Sequence, residues 1–328
     1  MTSVAKLNVA VWRYDRTQAL YDGRISVGAR EAEMVDRPLE EIFSKAFTSA
    51  EYEVSELSLS NFLRMRVDGE CAYQGIPVFP SRSFRHGAFY VRKDNLINDP
   101  RDLVGRKIGV REYSMTAALA ARGGLRDQFG VEADQVHWLV GDVNEKERDT
   151  IPLPVLYKDI SIAVAAGGAL LDDLLLAGEI DAILAYKPIK SSIGPTARTR
   201  RLFENSEAVE KDYFAKTQVF PIMHLVGVRT EDARADPTLV RDVYQAFAEA
   251  QRLASADLAY EQALKIGLPW LRQELERTKA IMGQDYWPGG FAANRHVLET
   301  MINWSFQDGL ISRKIEPEEL FFSEMLTT

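Results

Sequence analysis

Apolar and polar positions along this chain switch repeatedly between a two-residue and a 3.6-residue period, so strands and helices are predicted to follow one another. Leu7 to Val11 alternates as a strand and runs into a polar loop, Trp12 to Thr17. Asp36 and Pro38 then open a helix whose apolar residues Leu39, Ile42, Phe43, Ala46 and Phe47 recur at the helical period. Tyr52 to Leu57 predicts the next strand, with Ser58 and Ser60 where a further helix begins. Ala88 to Val91 is a short apolar run that predicts a buried strand, and Asp99-Pro100 and Gly105 mark turns after it.

A second series starts at Lys107 to Val110, a short strand. Arg111 to Thr116 leads from it into an alanine-rich helix, Ala117 to Arg122. Val136 to Val140 predicts a strand, and Leu170 to Ala177 a helix closed by Gly178, a residue type suited to the left-handed position after a helix. Strand Asp181–Tyr186 follows at once, the succession of a compact βαβ unit. Arg198 to Tyr213 is charged and peripheral, and strand Ile222–Val228 is expected to return the chain to the first lobe. Beyond Pro237 the pattern is helical. Leu239, Val240, Val243, Tyr244, Phe247, Ala250, Leu253 and Ala254 form one stripe, and a later helix, about Asn294 to Asp308, stops at Gly309. The fold class is therefore α/β in two lobes: residues 1–94 with 219–328 as a discontinuous lobe one carrying the C-terminal helices, and 95–218 as lobe two.

Composition narrows the function classes. A chain of 328 residues exceeds one ordinary core, which agrees with two lobes. A formal net charge of −8 with no long basic tract argues against nucleic-acid binding. The single cysteine, Cys71, excludes an internal disulfide and a multi-thiolate metal site. Residues Met1 to Val11 show no secretory h-region, and no apolar run approaches the ~18–20 residues that span a bilayer. A cytoplasmic location without membrane contact is the expectation. No metal motif, GxGxxG, P-loop or GxSxG occurs, and no cofactor is expected.

The densest candidate chemistry lies in Ser81 to Lys93, where two arginines and one of the four histidines fall within five residues. Read as an extended segment, Arg82, Phe84 and His86 share a face and Arg85 points away. Arg82 is then the better carboxylate clamp and Arg85 a structural or surface residue. His86 is the first candidate for a general acid, because both protonation states of histidine are accessible near neutrality; its alternative is packing at the strand end. His224 interrupts an apolar strand and is the second candidate. Tyr14, Asp15 and Arg16 fill the loop after the first strand, and Arg16 is placed to take a carboxylate. Ser58 and Ser60 offer hydroxyls at a helix start, where exposed backbone N–H groups favour an anion. Glu112 is a candidate base, Tyr113, Ser114 and Thr116 precede a helix directly after a strand, and Lys187 is a possible second cation.

Segments spread over nearly the whole chain carry a family resemblance. Among them are YDRTQALYDGR (14–24), VSELSLSNFL (54–63), IPVFPSRSFRHGAFYVR (76–92), DLVGRKIGVREYSMTAALAARG (102–123), FPIMHLVGVR (220–229) and ANRHVLE (293–299). In these the chain resembles the 4,5-dihydroxyphthalate decarboxylases, and it departs from their pattern at Tyr186–Gly194 and Trp287–Gly290. The resemblance implies a periplasmic-binding-protein type 2-like fold, with a ligand cleft between lobes, used as a cytoplasmic enzyme. It implies a small aromatic dicarboxylate as substrate, released as 3,4-dihydroxybenzoate and CO₂. Such chemistry needs cations for the spectator carboxylate, an acid at the ring carbon and an acceptor for the phenolic proton. The residues alone do not assign which histidine or carboxylate is acid and which is base. A solute-binding protein of the same fold, or a lyase acting on another cyclic carboxylate, is the alternative. A homo-oligomer is expected, with Phe321 and Phe322 as aromatics that could pack between subunits.

Overall fold

The computed structural model describes residues 6–147 and 153–328. The first five residues of the segment read for a leader lie outside the described residues. The chain divides into two compact units: Met1–Arg82, Ile222–Leu298 and Glu316–Thr328 form the first, Ser83–Pro221 and Glu299–Ile315 the second.

The first unit is built on a five-stranded sheet, ordered β2-β1-β3-β11-β4. Its strands, numbered along the chain, are β1 (Leu7–Ala10), β2 (Ala32–Val35), β3 (Val54–Ser58), β4 (Tyr73–Arg82) and β11 (Ile222–Arg229). Strands β1, β2 and β3 are parallel, whereas β11 runs antiparallel to both β3 and β4. Helices α1 (Gln18–Tyr21), α2 (Leu39–Ser49), α3 (Leu59–Asp68), α7 (Thr230–Ala235), α8 (Leu239–Leu258) and α9 (Leu271–Met282) accompany them. The stripe on α8 does what its period predicts. Leu239, Val240, Val243, Ala246, Phe247 and Ala250 pack with Val9, Val54, Ile76, Val226 and Val228 of the sheet. Removing that much apolar surface from water is the main stabilisation of the unit.

The second unit has a six-stranded sheet, ordered β10-β5-β9-β6-β7-β8. Its strands are β5 (Phe89–Arg92), β6 (Lys107–Val110), β7 (His137–Val140), β8 (Ile162–Val164), β9 (Ala182–Leu184) and β10 (Thr199–Arg201). Helices α4 (Thr116–Phe129), α5 (Leu171–Ala177) and α6 (Ser206–Thr217) belong to it. Gly178 closes α5 at φ 76°, which lets the chain turn directly into β9.

Two sequence expectations need correcting. The lobe boundary was expected after residue 94 and falls after Arg82. All residues after 218 were expected in lobe one, yet 299–315, including most of α10 (Arg295–Gln307), join the second unit. The reason is ionic and steric. Asp308 is fully buried and pairs with Arg122 at 2.5 Å and with Arg126, both on α4. Trp304 lies so close to Gly123 that a β-carbon there would clash with the indole. Of the two aromatics that could pack between subunits, Phe321 is buried against Phe79 and Phe291 of its own unit, and Phe322 packs on the α8 core.

Candidate active site

In the first unit the chain leaves the carboxyl ends of parallel strands β1 and β3, the position where α/β sheets usually bind ligands. Glu56, on β3 between Ser55 and Leu57, has no exposure to solvent. Its carboxylate collects three donors. Trp12 N donates to Oε2 at 2.8 Å, Tyr14 Oη donates to Oε1 at 2.7 Å, and His224 Nδ1 meets Oε1 at 2.6 Å. Facing a carboxylate, Nδ1 carries the hydrogen, which leaves Nε2 as the nitrogen able to exchange a proton with a ligand. The His224 side chain is 14% exposed, so solvent or a ligand reaches part of it. Phe43 abuts the ring edge-on at 4.9 Å between centroids and helps to fix its plane. Burial first, and the Glu56 charge second, push the Tyr14 phenol up, so Tyr14 stays a neutral donor.

Arg16 stands beside this group. Its guanidinium lies between the rings of Tyr14, at 4.1 Å, and Trp287, at 4.4 Å. Nε donates to the Pro80 carbonyl and Nη1 to Asp15 Oδ1 at 2.7 Å. Trp287 is itself held, its Nε1 donating to Phe79 O at 2.9 Å. Stacked and hydrogen-bonded in this way, the cation is pre-organised, and the side chain keeps 18% exposure. Ser58, paired with His224 across the sheet, occupies the N-cap of α3 without a side-chain cap bond. Neighbouring Ser60 is fully buried within the first turn of that helix and presents no hydroxyl outward.

The remaining sequence candidates are placed elsewhere. Arg82 ends β4, buried, and donates to Asn294 Oδ1 and, at 3.0 Å, to Pro288 O. Burial pulls its guanidinium down to about 9. It braces the segment around Pro288. Arg82 and His86 do not share an extended face, because His86 opens a short 3-10 turn, His86–Ala88, in the second unit. The His86 ring is 5% exposed and enclosed by Phe203, Tyr213 and Gly124. Burial lowers it from 6.5 to about 4, so it is neutral at pH 7. Tyr113 belongs to the core of the second unit, its ring under Arg122 at 3.8 Å and against Trp138. Ser114 donates to Glu112 at 2.9 Å, Thr116 starts α4 and is buried, and Lys187 is exposed after β9.

Glu56 was not among the sequence candidates, and Trp287 entered only as the start of a segment that departs from the family pattern. The signal for Glu56 was present, since a carboxylate inside an apolar strand must be satisfied, and the other apolar strand with a polar intruder holds His224.

Comparison with known proteins bears on the reading. No family profile matches the chain. A 4,5-dihydroxyphthalate decarboxylase of Comamonas testosteroni is 35% identical over 322 residues, covering 97% of each chain. The chain belongs to the 4,5-dihydroxyphthalate decarboxylase family. A protein of the same description from Pseudomonas putida is 32% identical over 211 residues, 63% of this chain and 81% of that one. Among solved structures, the periplasmic aliphatic sulphonate binding protein SsuA of Escherichia coli superposes with a TM-score of 0.55 at 13% identity, over 97% of this chain and 92% of that one. That likeness establishes the two-lobed periplasmic-binding-protein type 2 fold. The cytoplasmic location expected from the N-terminal residues is corrected: several of the solved structures that share the fold are described as periplasmic binding proteins, so the fold gives it no support. Among the described residues no helix is long and apolar enough to cross a membrane.

Proposed function

We propose that this member of the family decarboxylates 4,5-dihydroxyphthalate to 3,4-dihydroxybenzoate and CO₂, with His224 as the proton donor and Arg16 as the carboxylate clamp. Family membership supplies the reaction class, a carbon–carbon lyase acting on a hydroxylated aromatic dicarboxylate. The observation that carries the assignment of residues is the buried Glu56, which fixes His224 through Nδ1 and Tyr14 through its hydroxyl, with Arg16 stacked on the Tyr14 ring.

Direct loss of CO₂ would leave an aryl carbanion, so the ring carbon must be protonated first. Each carboxylate of the substrate is para to a hydroxyl. The imidazolium of His224 gives its Nε2 proton to the carboxylate-bearing carbon while the para hydroxyl releases its own proton to solvent water, and the ring becomes a dienone. The C–C bond then breaks, its electron pair re-forms the aromatic ring, the oxygen regains a proton, and CO₂ departs. One proton is consumed overall, and His224 recovers it from solvent. Arg16 binds the carboxylate that stays. Holding the spectator group and not the leaving one avoids stabilising the ground state of the bond that breaks.

The test is to mix the protein with 4,5-dihydroxyphthalate and follow CO₂ and 3,4-dihydroxybenzoate. Turnover by the wild type and its loss in His224→Gln, with substrate still bound, is the expected result. A His224→Gln chain of near-normal turnover would show that the proton comes from another group.

A further inference from the structure

The second unit contains a cavity of about 260 Å³ that the assignment above does not use. Its walls include Phe84, Arg85, Tyr90, Tyr186, Arg201 and Glu210. Arg85 is half-buried, and its Nε is shut away from solvent with no hydrogen-bond partner among the described residues. Arg201 is anchored through Nη1 to Gly87 O at 2.6 Å and lies over the Tyr90 ring at 5.5 Å. Phe84 is a rigid wall, stacked on Phe220 at 4.8 Å and edge-on to Phe214 at 6.4 Å. Glu210 accepts from Gly87 N at 3.5 Å and lies 3.9 Å from His86 Nδ1.

We propose that this cavity binds a hydroxylated aromatic monocarboxylate, with the carboxylate on Arg85 and Arg201, the ring among Phe84, Tyr90 and Tyr186, and a phenolic hydroxyl donating to Glu210. Two arginines against one carboxylate leave a positive surplus, which selects an anion. The orphaned buried donor on Arg85 gains a partner only when an acceptor enters. The volume lies below the about 300–1,000 Å³ of pockets for drug-sized molecules and suits a single ring. Burial pushes the Glu210 carboxyl up and the Arg85 guanidinium down, costs that a ligand carrying the opposite groups relieves. The choice of ligand class rests on the decarboxylase reading, since the released 3,4-dihydroxybenzoate has one carboxylate and adjacent hydroxyls.

The test is calorimetric titration of the full chain carrying Arg16→Gln, so that the first-unit clamp does not contribute. The probes are 3,4-dihydroxybenzoate and unsubstituted benzoate. Expected are saturable binding of 3,4-dihydroxybenzoate, weaker binding of benzoate, and at least about a tenfold loss of affinity on adding Arg85→Gln. Arg201→Gln, at an exposed position on β10, should weaken binding in the same direction and keeps the test valid if Arg85→Gln does not fold. Absence of binding to the Arg16→Gln chain, or affinity unchanged by the substitutions at 85 and 201, would overturn the proposal. Turnover of 4,5-dihydroxyphthalate by the wild type is measured separately: a chain that binds through Arg85 without turnover loses the decarboxylase reading and keeps the site.

Discussion

Glu56 Oε1 and His224 Nδ1 lie 2.6 Å apart, joining the neighbouring antiparallel strands β3 and β11 through a carboxylate that solvent does not reach. Such a contact fixes both the ring plane and the tautomer of the histidine proposed as proton donor. Glu56→Gln retains the volume and removes the charge. It is expected to lower kcat by about 10²-fold or more while KM changes little, and to displace the pH profile of kcat/KM. Steady-state kinetics across pH check this, and a profile superimposable on the wild type would reduce Glu56 to a structural residue.

Arg16 should behave in the opposite way. A clamp on a spectator carboxylate contributes mainly to binding, so Arg16→Gln is expected to raise KM by about 10- to 100-fold with a smaller fall in kcat. Trp287→Leu leaves the charge and removes one face of the sandwich. An exposed cation–π contact contributes about 0.5–1 kcal/mol, so a rise in KM of about two- to fivefold is expected. Equal losses of kcat in both variants would mean that the arginine acts on the reacting carbon.

The Asp308 cluster explains why the C-terminal segment leaves the first unit, and it can be tested alone. Asp308 has no exposure and serves both Arg122 and Arg126, and Arg122 in turn lies over Tyr113. Asp308→Asn leaves two buried cations without their shared counter-charge. Breaking one member of such a pair costs about 3–5 kcal/mol. Urea denaturation should show a correspondingly lower midpoint, with the slope per molar unchanged. A midpoint within error of the wild type would show that water or the neighbouring carboxylates replace Asp308.

Much of this architecture was legible because burial enforces periodicity. The α8 stripe, the Gly178 stop and the β11 strand all carry patterns that only a core demands. The site was less legible, and for a physical reason. Arg82 and His86 look like one basic patch in sequence, but the chain changes unit between Arg82 and Ser83 and both side chains turn inward. A histidine in an aromatic enclosure and a histidine on a buried carboxylate have the same letter and similar apolar neighbours along the chain. Only the partners, Phe203 and Tyr213 for one and Glu56 for the other, separate them, and these lie more than a hundred residues away in sequence.

His86 gives the last prediction, in stability and not in rate. Its imidazole falls from 6.5 to about 4 on folding because burial penalises the charged form. Between those values the unfolded chain binds a proton that the folded chain refuses, so folding stability rises with pH across that window. The contribution is complete above about pH 6.5 and is lost as pH falls toward 4, where the folded ring begins to protonate. A shift of this size corresponds to roughly 3 kcal/mol, an order-of-magnitude figure. His86→Leu keeps an apolar side chain of comparable bulk in the enclosure and has nothing to titrate. Its stability, measured by urea denaturation at pH 4.5 and 7, should therefore change less between the two than that of the wild type. An equal loss in both chains would assign the acid sensitivity to other groups and place a charged, hydrated His86 in the folded state.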